Sequence, residues 1–232
     1  AGKKGLIIDE VQRAPDLFSY IQTYTDAQNS PGKIILTGSQ NFLLMEKITQ
    51  SLAGRTAIIK LMPFSLKELK EYGYKLNNAD DFIFRGFYPR IYDKKLEPGE
   101  WYGGYINTYL ERDVRQVKNI SDLMAFQKFL KMCAGRSGQL LNLSSMGSDC
   151  GITHNTAKAW VSILEASSII FLLRPYHRNF NKRLISLPKL YFYDTGLACS
   201  LLGIRNVKEL AVSHFYGQLF ENFVISEIAK NR

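Results

Sequence analysis

The strongest constraint on the fold is a short apolar run, Leu6–Ile8, that leads directly into two acids, Asp9 and Glu10. Such a run predicts a buried strand of a parallel sheet. Its polar residues would then lie at the carboxyl edge, where open α/β sheets bind ligands. The pattern alone does not identify a site, because an ordinary buried strand also ends in a solvated turn.

A second run of the same kind follows after one predicted helix. Pro15-Asp16 favours a helix start, because proline fits the first turn and an acid suits the positive end of the helix dipole. Apolar residues then recur at helical spacing, namely Leu17, Phe18, Ile21 and Tyr24. Residues 29–32 predict a break. Residues 33–36 predict the second strand, which ends in two hydroxyl residues, Thr37 and Ser39.

The polar residues at the two strand ends indicate the chemistry of a nucleoside triphosphatase. Asp9 would hold a magnesium ion through water, and Glu10 would orient or deprotonate the attacking water. Thr37 or Ser39, one strand away, would sense the terminal phosphate or that water. We therefore predict a catalytic edge made of these four residues, with Asp9 as the metal-binding residue.

A third predicted helix adds an arginine to this set. Its apolar residues step by four, at Leu44, Ile48 and Leu52, and it leads through Arg55 into a predicted strand over residues 56–61. Arg55 is a candidate for contact with a phosphate in its own or a neighbouring subunit. The alternative is a surface arginine that neutralises a helix end. The alternation of strands and helices predicts an α/β fold.

Several further segments of the sequence are informative together. They are residues 7–12, 35–40, 51–55, 62–69, 108–113 and 191–197, and Gly217 with Glu221-Asn222. These segments resemble a prokaryotic branch of the AAA superfamily ATPases. In that branch an ATPase core precedes a carboxy-terminal region of uncertain function, which is grouped with the PD-(D/E)xK nuclease-like folds. The resemblance implies that ATP and Mg²⁺ are cofactors of the complete protein.

The phosphate-binding loop of that family does not occur in this sequence. ATP binding there requires the motif G-x-x-x-x-G-K-[ST] on an earlier strand and helix, and only eight residues precede Asp9. Gly2-Lys3 leaves no room for a loop and a helix, and Gly32-Lys33 leads into a strand. We therefore expect a fragment of a longer ATPase that binds no nucleotide by itself.

Composition restricts the class of protein and of partner. The 232 residues carry a formal net charge of +9, which favours an acidic partner. Cys133, Cys150 and Cys199 show no metal-ligand spacing, and their odd number argues against a disulfide framework. Free thiols of this kind suit a cytoplasmic protein. No apolar run approaches the ~18 residues of a membrane helix, so we expect neither a membrane span nor a leader.

The sequence predicts four segments. Residues 1–65 form a partial P-loop ATPase core with parallel strands, and residues 66–120 form a helical lid or connector. Residues 121–193 form a winged helix, and residues 194–232 begin a truncated PD-(D/E)xK-like domain. The predicted fold class is α/β, followed by a mainly α region.

The predicted connector ends in a long helix over residues 101–117. It contains Glu111, Arg112 and Asp113, whose alternating charges are typical of a solvated face or of side-chain ion pairs. Catalysis by these residues is the less favoured alternative, and the resemblance leaves the role of this helix open.

The third segment has the pattern of a winged helix. Residues 121–136 and 144–149 predict two helices, and Thr153 caps a third. Residues 169–173 and 189–193 predict the two strands of a hairpin. Three helices followed by a basic hairpin describe a fold that places its third helix in the major groove of DNA.

The candidate DNA-binding residues lie on the third helix and in the hairpin loop. His154, Asn155 and Lys158 stand at the start of the helix or on the face opposite its predicted buried stripe. That stripe comprises Ala157, Trp160, Val161 and Leu164. The loop cations, which would meet phosphates, are Arg178, Lys182 and Arg183. The alternative is a winged helix that makes protein contacts only.

The last segment predicts a capped helix over residues 195–202 and a final helix over residues 214–230. Glu221 and Glu227 are predicted on the face of the final helix opposite its apolar stripe. In PD-(D/E)xK folds an early helical glutamate can complete a metal site. The defining Asp and the (D/E)xK pair would lie beyond Arg232, so we expect no nuclease activity from this chain.

Three functions stay open from the sequence alone. The first is an ATP-binding and ATP-hydrolysing AAA protein that couples nucleotide state to duplex DNA through the winged helix. The second is a non-catalytic DNA-binding module, and the third is a nucleotide-regulated interaction scaffold without nucleic acid. An open sheet edge would also allow pairing with a second copy, so a homo-oligomer is a further expectation.

Overall fold

In a computed structural model the chain forms two compact units, of which the first ends at Lys60 and the second begins at Leu61. The described part of the chain is mostly helical, with a two-stranded sheet in each unit. The residues that the structure describes are 5–28, 32–38, 52–75, 78–109, 120, 122–176 and 186–231.

The first unit is built around two parallel strands, β1 (Leu6–Ile8) and β2 (Ile34–Leu36). A short 3-10 turn, Val11–Arg13, and helix α1, Leu17–Gln28, connect them. The parallel pairing that the sequence predicted is therefore confirmed. The strand–helix–strand order is that of the start of an α/β core.

One face of this sheet carries the core of the first unit. Ile8, Ile34 and Leu36 pack against a buried cluster, which consists of Val11, Phe18, Ile21 and Leu52. On the other face Ile7 and Ile35 lie opposite each other and are 69% and 54% exposed. The prediction of fully buried strands is wrong for the described residues, since the cluster that includes α1 covers one face only.

The predicted third strand of the first unit does not form. Residues 56–61, all of which the structure describes, adopt no strand and are exposed. A turn precedes them, in which the amide of Arg55 donates to the carbonyl of Leu52 at 3.0 Å. Isoleucine and threonine favour a strand only where a neighbouring strand offers its hydrogen-bonding edge, and sequence pattern alone cannot show that.

The second unit begins with four helices. These are α2 (Leu66–Glu71), α3 (Ala79–Arg85), α4 (Pro89–Asp93) and α5 (Pro98–Tyr109). Ser65 and Glu68 form the predicted capping box at the start of α2. The amide of Glu68 donates to Ser65 Oγ at 3.3 Å, and the amide of Ser65 donates to Glu68 Oε2 at 2.8 Å.

Three helices and a hairpin follow, in the order that the sequence predicted. They are α6 (Leu123–Gly135), α7 (Leu143–Cys150), α8 (His154–Ala166), β3 (Ile170–Leu173) and β4 (Lys189–Phe192). Each helix starts at a side chain that accepts a hydrogen bond from the amide three residues later, namely Asp122, Asn142 and Thr153. β3 and β4 are antiparallel, as predicted.

β4 has hydrogen-bonding partners on both sides. On one side is β3, with Ile170 opposite Phe192. On the other side is the segment after α6, where the amide of Gly138 donates to the carbonyl of Leu190 at 2.7 Å. The amide of Leu190 in turn donates to the carbonyl of Gln139 at 3.1 Å. The hairpin is thus tied to the chain between α6 and α7.

The chain ends in α9 (Thr195–Leu201), α10 (Val207–Val212) and α11 (Tyr216–Lys230). The sequence did not predict α10. Almost all residues of α9 are buried, and α9 packs against α3, α5, α6 and α11. A Cβ at Gly196 would lie 2.5 Å from Tyr102 Oη, so this close approach requires glycine. The predicted connector, winged-helix and nuclease-like segments therefore pack into one unit.

Among the helices of the described residues, none combines the length and the apolar character needed to cross a membrane.

Candidate functional site

The carboxyl ends of β1 and β2 bring Asp9 and Thr37 together. The amide of Thr37 donates to the carbonyl of Ile8 at 2.9 Å, and the amide of Val11 donates to the carbonyl of Thr37 at 3.1 Å. The two strand ends are thus paired past the last ladder residues. With the backbones held in this way, Thr37 Oγ1 donates to Asp9 Oδ1. Asp9 is exposed, so its carboxylate is accessible to a ligand.

Glu10 adopts a backbone conformation that is uncommon for a residue with a side chain. Its φ is +49°, in the left-handed region. Its carboxylate accepts a hydrogen bond from Gln12 Nε2. Residues in sparsely populated regions concentrate at active sites and ligand clamps. Lys95 and Ser168 also have a positive φ, so the role of Glu10 stays a prediction.

Arg55 is bound to an acid of α1. Its Nε lies 2.5 Å from Asp26 Oδ1, and its Nη2 lies 3.2 Å from Asp26 Oδ2. The hydrogen bond that Arg55 donates to Asp26 and the negative charge of Asp26 raise the pKa of Arg55. Both side chains are more than a third exposed, so this pair adds little to stability. The other hydrogen bond of Arg55 goes to the carbonyl of Ala53 and not to the sheet edge.

Some predicted residues lie outside the described part of the chain, and their roles stay predictions. These are Ser39, the helix with Leu44 and Ile48, the charged triplet Glu111, Arg112 and Asp113, and the loop cations Arg178, Lys182 and Arg183.

The helix predicted to read DNA has one buried and one exposed face. The buried stripe comprises, as predicted, Ala157, Trp160, Val161 and Leu164. Trp160 is held edge to face by two phenylalanines of α6, which fixes the rotation of α8 about its axis. His154, Asn155 and Lys158 are exposed. The structure thus keeps these three side chains accessible on the amino-terminal half of α8.

Glu221 of α11 is bound to β4. It accepts hydrogen bonds from Tyr191 Oη at 2.6 Å and from Lys189 Nζ at 2.9 Å. These two bonds lower the pKa of Glu221, and burial together with the Glu221 carboxylate raises the pKa of Tyr191. The carboxylate therefore fastens α11 to the hairpin. Within the described residues, no three metal-ligating side chains come together to form a metal site.

Glu227 does not lie on an exposed face, so this part of the prediction is wrong. Its side chain is 14% exposed, and Oε1 accepts a hydrogen bond from Lys230 Nζ at 3.1 Å. Oε2 accepts a hydrogen bond from the amide of Leu66 at 2.7 Å. Helical spacing could not show this, because the residue that covers Glu227 is 161 positions earlier in the chain.

The sequence did not reveal that Asp194 is a buried carboxylate. Asp194 is 1% exposed. Its Oδ1 accepts from Tyr102 Oη at 2.6 Å and from the amide of Leu197 at 2.7 Å, and its Oδ2 accepts from the amide of Phe87 at 2.6 Å. Burial raises the pKa of Asp194, against the opposing effect of these hydrogen bonds. The sequence Asp-Thr-Gly indicated the cap of α9. No local pattern indicated that Tyr102 and Phe87 would also donate hydrogen bonds to Asp194.

Asn222, beside Glu221, is a second buried polar residue. Its Oδ1 accepts from Ser137 Oγ at 2.5 Å and from the amide of Phe192 at 2.7 Å, and its Nδ2 donates to the carbonyl of Phe192 at 2.9 Å. The side-chain amide thus pairs with the last residue of β4 as a neighbouring strand would. Glu221 and Asn222 together join α11 to the hairpin.

The two candidate sites differ in the ligands that they suit. At the sheet edge, Asp9 and Thr37 supply carboxylate and hydroxyl oxygens, and oxygen ligands are what magnesium prefers. These residues suit the metal ion of a metal–phosphate ligand. The motif that would bind the phosphates does not occur in the sequence, so the fit is partial. On α8, an imidazole, an amide and an ammonium group suit base edges and phosphates.

Comparison with known proteins gives two family matches. A family model described as a domain of unknown function, DUF8612, matches residues 76–208, which is more than half of the chain. A model described as an AAA domain matches residues 1–70, which include the sheet edge with Asp9 and Thr37. The second match supports a relationship to the AAA superfamily. No solved structure matches the chain.

Curated relatives that match are themselves uncharacterized. One protein from Mycobacterium tuberculosis and one from Mycobacterium bovis are each 30% identical over 232 residues, covering 99% of this chain and 52% of theirs. A protein from Haemophilus influenzae is 21% identical over 97% of this chain and 57% of its own length. The chain therefore spans about half the length of the curated relatives it matches.

Proposed function

The chain belongs to the DUF8612 family, and from its additional match to an AAA domain over residues 1–70 we propose that it is part of a nucleotide-binding AAA superfamily protein that couples nucleotide state to DNA binding. ATP and Mg²⁺ would act at the sheet edge of the first unit. Duplex DNA would be contacted by α8 and by the hairpin of the second unit, which we propose is a winged helix.

The nucleotide half of the proposal is carried by the hydrogen bond from Thr37 Oγ1 to Asp9 Oδ1, within a segment that matches an AAA domain. An acid after one parallel strand and a hydroxyl after the next suit a metal-binding acid and a phosphate sensor. Asp9 would hold the magnesium ion through water, and Glu10 would orient the attacking water. Bound magnesium would neutralise the charge that develops on the phosphates.

The DNA half is supported by the order of elements and by the exposed face of α8. The order of three helices, a segment paired with β4 after the first of them, and a terminal hairpin supports the proposal of a winged helix. Asn155 and Lys158 are accessible on the helix that such folds place in the major groove. Residues 174–189 contain no acid and five cations, which suits contact with phosphates.

Binding of duplex DNA by this chain, measured by fluorescence anisotropy at low and at moderate salt, tests the DNA half. We expect binding that weakens as salt rises, because phosphate contacts release counterions. The triple variant Arg178→Ala, Lys182→Ala, Arg183→Ala should lose most of the affinity. Its salt slope should fall by about one unit for each phosphate contact removed.

A matched control removes three exposed lysines elsewhere in the second unit, with the changes Lys67→Ala, Lys70→Ala and Lys208→Ala. It carries the same change in net charge and should bind as the wild type does. Equal loss in both triple variants would mean that net charge, and not the hairpin, attracts the DNA. No binding by the wild type at low salt would refute the DNA half.

The nucleotide half is tested in the full-length protein by titration with a fluorescent ATP analogue, with and without magnesium. Asp9→Ala should remove the dependence of binding on magnesium, because the carboxylate that holds the ion through water is gone. Asp16→Ala, at an exposed acid just before α1, is the matched control and should leave that dependence intact. Equal behaviour of the two variants would contradict the assignment of Asp9.

A further inference from the structure

The segment that follows the first unit is held by the last helix of the chain. We call residues 61–66, which begin the second unit, the joining segment. Lys230 Nζ donates to the carbonyl of Phe64 at 3.0 Å, and Glu227 Oε2 accepts from the amide of Leu66 at 2.7 Å. Both groups of the joining segment belong to the backbone, so these bonds fix the path of the chain itself.

The side chain of Lys230 is buried, and that of Glu227 beside it is partly buried. Lys230 Nζ lies 3.1 Å from Glu227 Oε1, and their side chains are 2% and 14% exposed. The ammonium group also lies 4.0 Å from the centroid of the Phe87 ring. Burial lowers the pKa of Lys230, while the charges of Glu227 and Asp194 act in the opposite direction. A buried ion pair is a poor source of stability compared with apolar residues, and its best-attested use is to specify one arrangement.

Hydrogen bonds continue from the joining segment to the hairpin. The amide of Phe64 donates to the carbonyl of Phe87 at 2.9 Å, and the amide of Phe87 donates to Asp194 Oδ2 at 2.6 Å. Asp194 comes two residues after the end of β4 and caps α9 through the amide of Leu197. A continuous series of bonds therefore runs from the joining segment to the end of β4.

We propose that Glu227 and Lys230 form a latch on the joining segment, and that the latch couples the position of this segment to β4. Displacement of the joining segment has to break the bonds of Phe64 and Leu66. It would leave a buried ammonium group and a partly buried carboxylate each with one hydrogen-bond partner fewer, which is costly. The latch is therefore either engaged or released. Its use in the control of DNA binding rests on the proposed function, but its existence does not.

Native-state hydrogen exchange of the full 232-residue chain tests the latch, because four backbone amides lie along the series. They are the amides of Phe64, Leu66, Phe87 and Leu197. In Lys230→Met, which keeps the apolar stem and removes the ammonium group, we expect exchange at all four to accelerate about tenfold through local opening. Lys94→Met breaks the exposed pair with Asp93 and should leave the four amides unchanged.

A second variant guards against loss of the fold. Glu227→Gln keeps an acceptor for the amide of Leu66 and removes the charge, and it should also accelerate all four amides. Acceleration confined to Phe64 and Leu66 in both variants would refute the coupling to β4. The latch would be refuted if all four amides exchange in Glu227→Gln as they do in the wild type, while Lys230→Met either shows the same exchange rates or does not fold.

Binding of duplex DNA by the same variants separates this inference from the proposed function. A wild type that binds no DNA would refute the proposed function and leave the exchange result standing. If the wild type binds, a changed affinity in Lys230→Met with none in Lys94→Met supports control of DNA binding by the latch. Equal affinity in wild type and Lys230→Met, despite accelerated exchange at Phe87 and Leu197, would refute that use.

Discussion

The two units differ in how completely their apolar parts are covered. In the first, a small cluster around Phe18 supports one face of a two-stranded sheet, while Ile7 and Ile35 on the other face are exposed. In the second, α9 is buried on nearly all sides, and large aromatic residues such as Phe87 and Tyr102 are fully buried. The described residues of the first unit therefore bury less apolar surface and gain less stability from it, because that gain scales with the apolar area removed from water.

The units also use their acidic residues differently. Asp9 is exposed at the end of β1 and accepts a hydrogen bond from one hydroxyl. Asp194 is buried after β4 and accepts hydrogen bonds from three protein donors. Both acids stand in segments that carry the family resemblance. In the first unit such a segment therefore contains a carboxylate that is accessible to a ligand. In the second unit it contains a carboxylate whose hydrogen bonds hold the interior together.

The largest effect on this comparison is expected from Asp194→Ala. The change leaves the buried amides of Phe87 and Leu197 without an acceptor, at about 2 kcal/mol each, so we expect a loss of about 4 kcal/mol. Both tryptophans, Trp101 and Trp160, lie in the second unit. Urea unfolding followed by tryptophan fluorescence therefore measures this loss in the second unit alone.

The matched control for this variant is Asp122→Ala. Asp122 also caps a helix, with its Oδ1 2.8 Å from the amide of Ala125, but in an exposed position. Water can replace the lost acceptor there, so we expect a loss of only about 1 kcal/mol. Similar losses in the two variants would show that burial of Asp194 does not matter, and the contrast between exposed and buried acids would fail.

A smaller effect, confined to the first unit, is expected from Phe18→Ala. Removal of this buried ring should cost about 3 kcal/mol within the small core of that unit. Far-ultraviolet circular dichroism should lose the contribution of α1, while the tryptophan transition stays where it is in the wild type. Tyr20→Ala, on the exposed face of the same helix, is the control and should change neither signal. A shifted tryptophan transition in Phe18→Ala would show that the two units unfold together.

The smallest effect is expected from Glu221→Gln and depends on pH. The hydrogen bonds from Tyr191 and Lys189 lower the pKa of Glu221 from its ordinary value of 4.5. The stability that it contributes is present above that value and is lost as pH falls through the lower pKa of the folded state. The difference in unfolding free energy between wild type and variant should therefore shrink on acidification. A difference that grows on acidification would contradict the bonds between α11 and β4.

Local signals in the sequence predicted the elements whose hydrogen bonds join near neighbours. The capping box of Ser65 and Glu68 and the cap at Thr153 marked helix starts correctly, because each capping bond spans three residues. The pairing of β3 with β4 and the buried stripe of α8 were also predicted, since both follow from hydrophobic periodicity. Of the candidate site, the nearness of Asp9 and Thr37 followed from the parallel pairing of their strands.

Predictions failed where the decisive partner is distant in sequence or is absent. Residues 56–61 have strand-forming composition, but none of the described strands pairs with them. Glu227 has the spacing of an exposed residue, but the joining segment covers it. The pair of Arg55 with Asp26 was likewise not visible in the sequence, and contact of Arg55 with a phosphate stays a prediction.

The sequence by itself determined which side chains stand at the end of β1, where the helices of the second unit begin, and which stripe of α8 is buried. These features depend on backbone periodicity and on bonds between residues a few positions apart. Only the tertiary structure decided that the side chains of Asp194, Asn222 and Lys230 form hydrogen bonds in the interior of the second unit. Tyr102, which donates a hydrogen bond to Asp194, is 92 positions away in the sequence. A polar group is buried only where the folded chain brings such a partner to it.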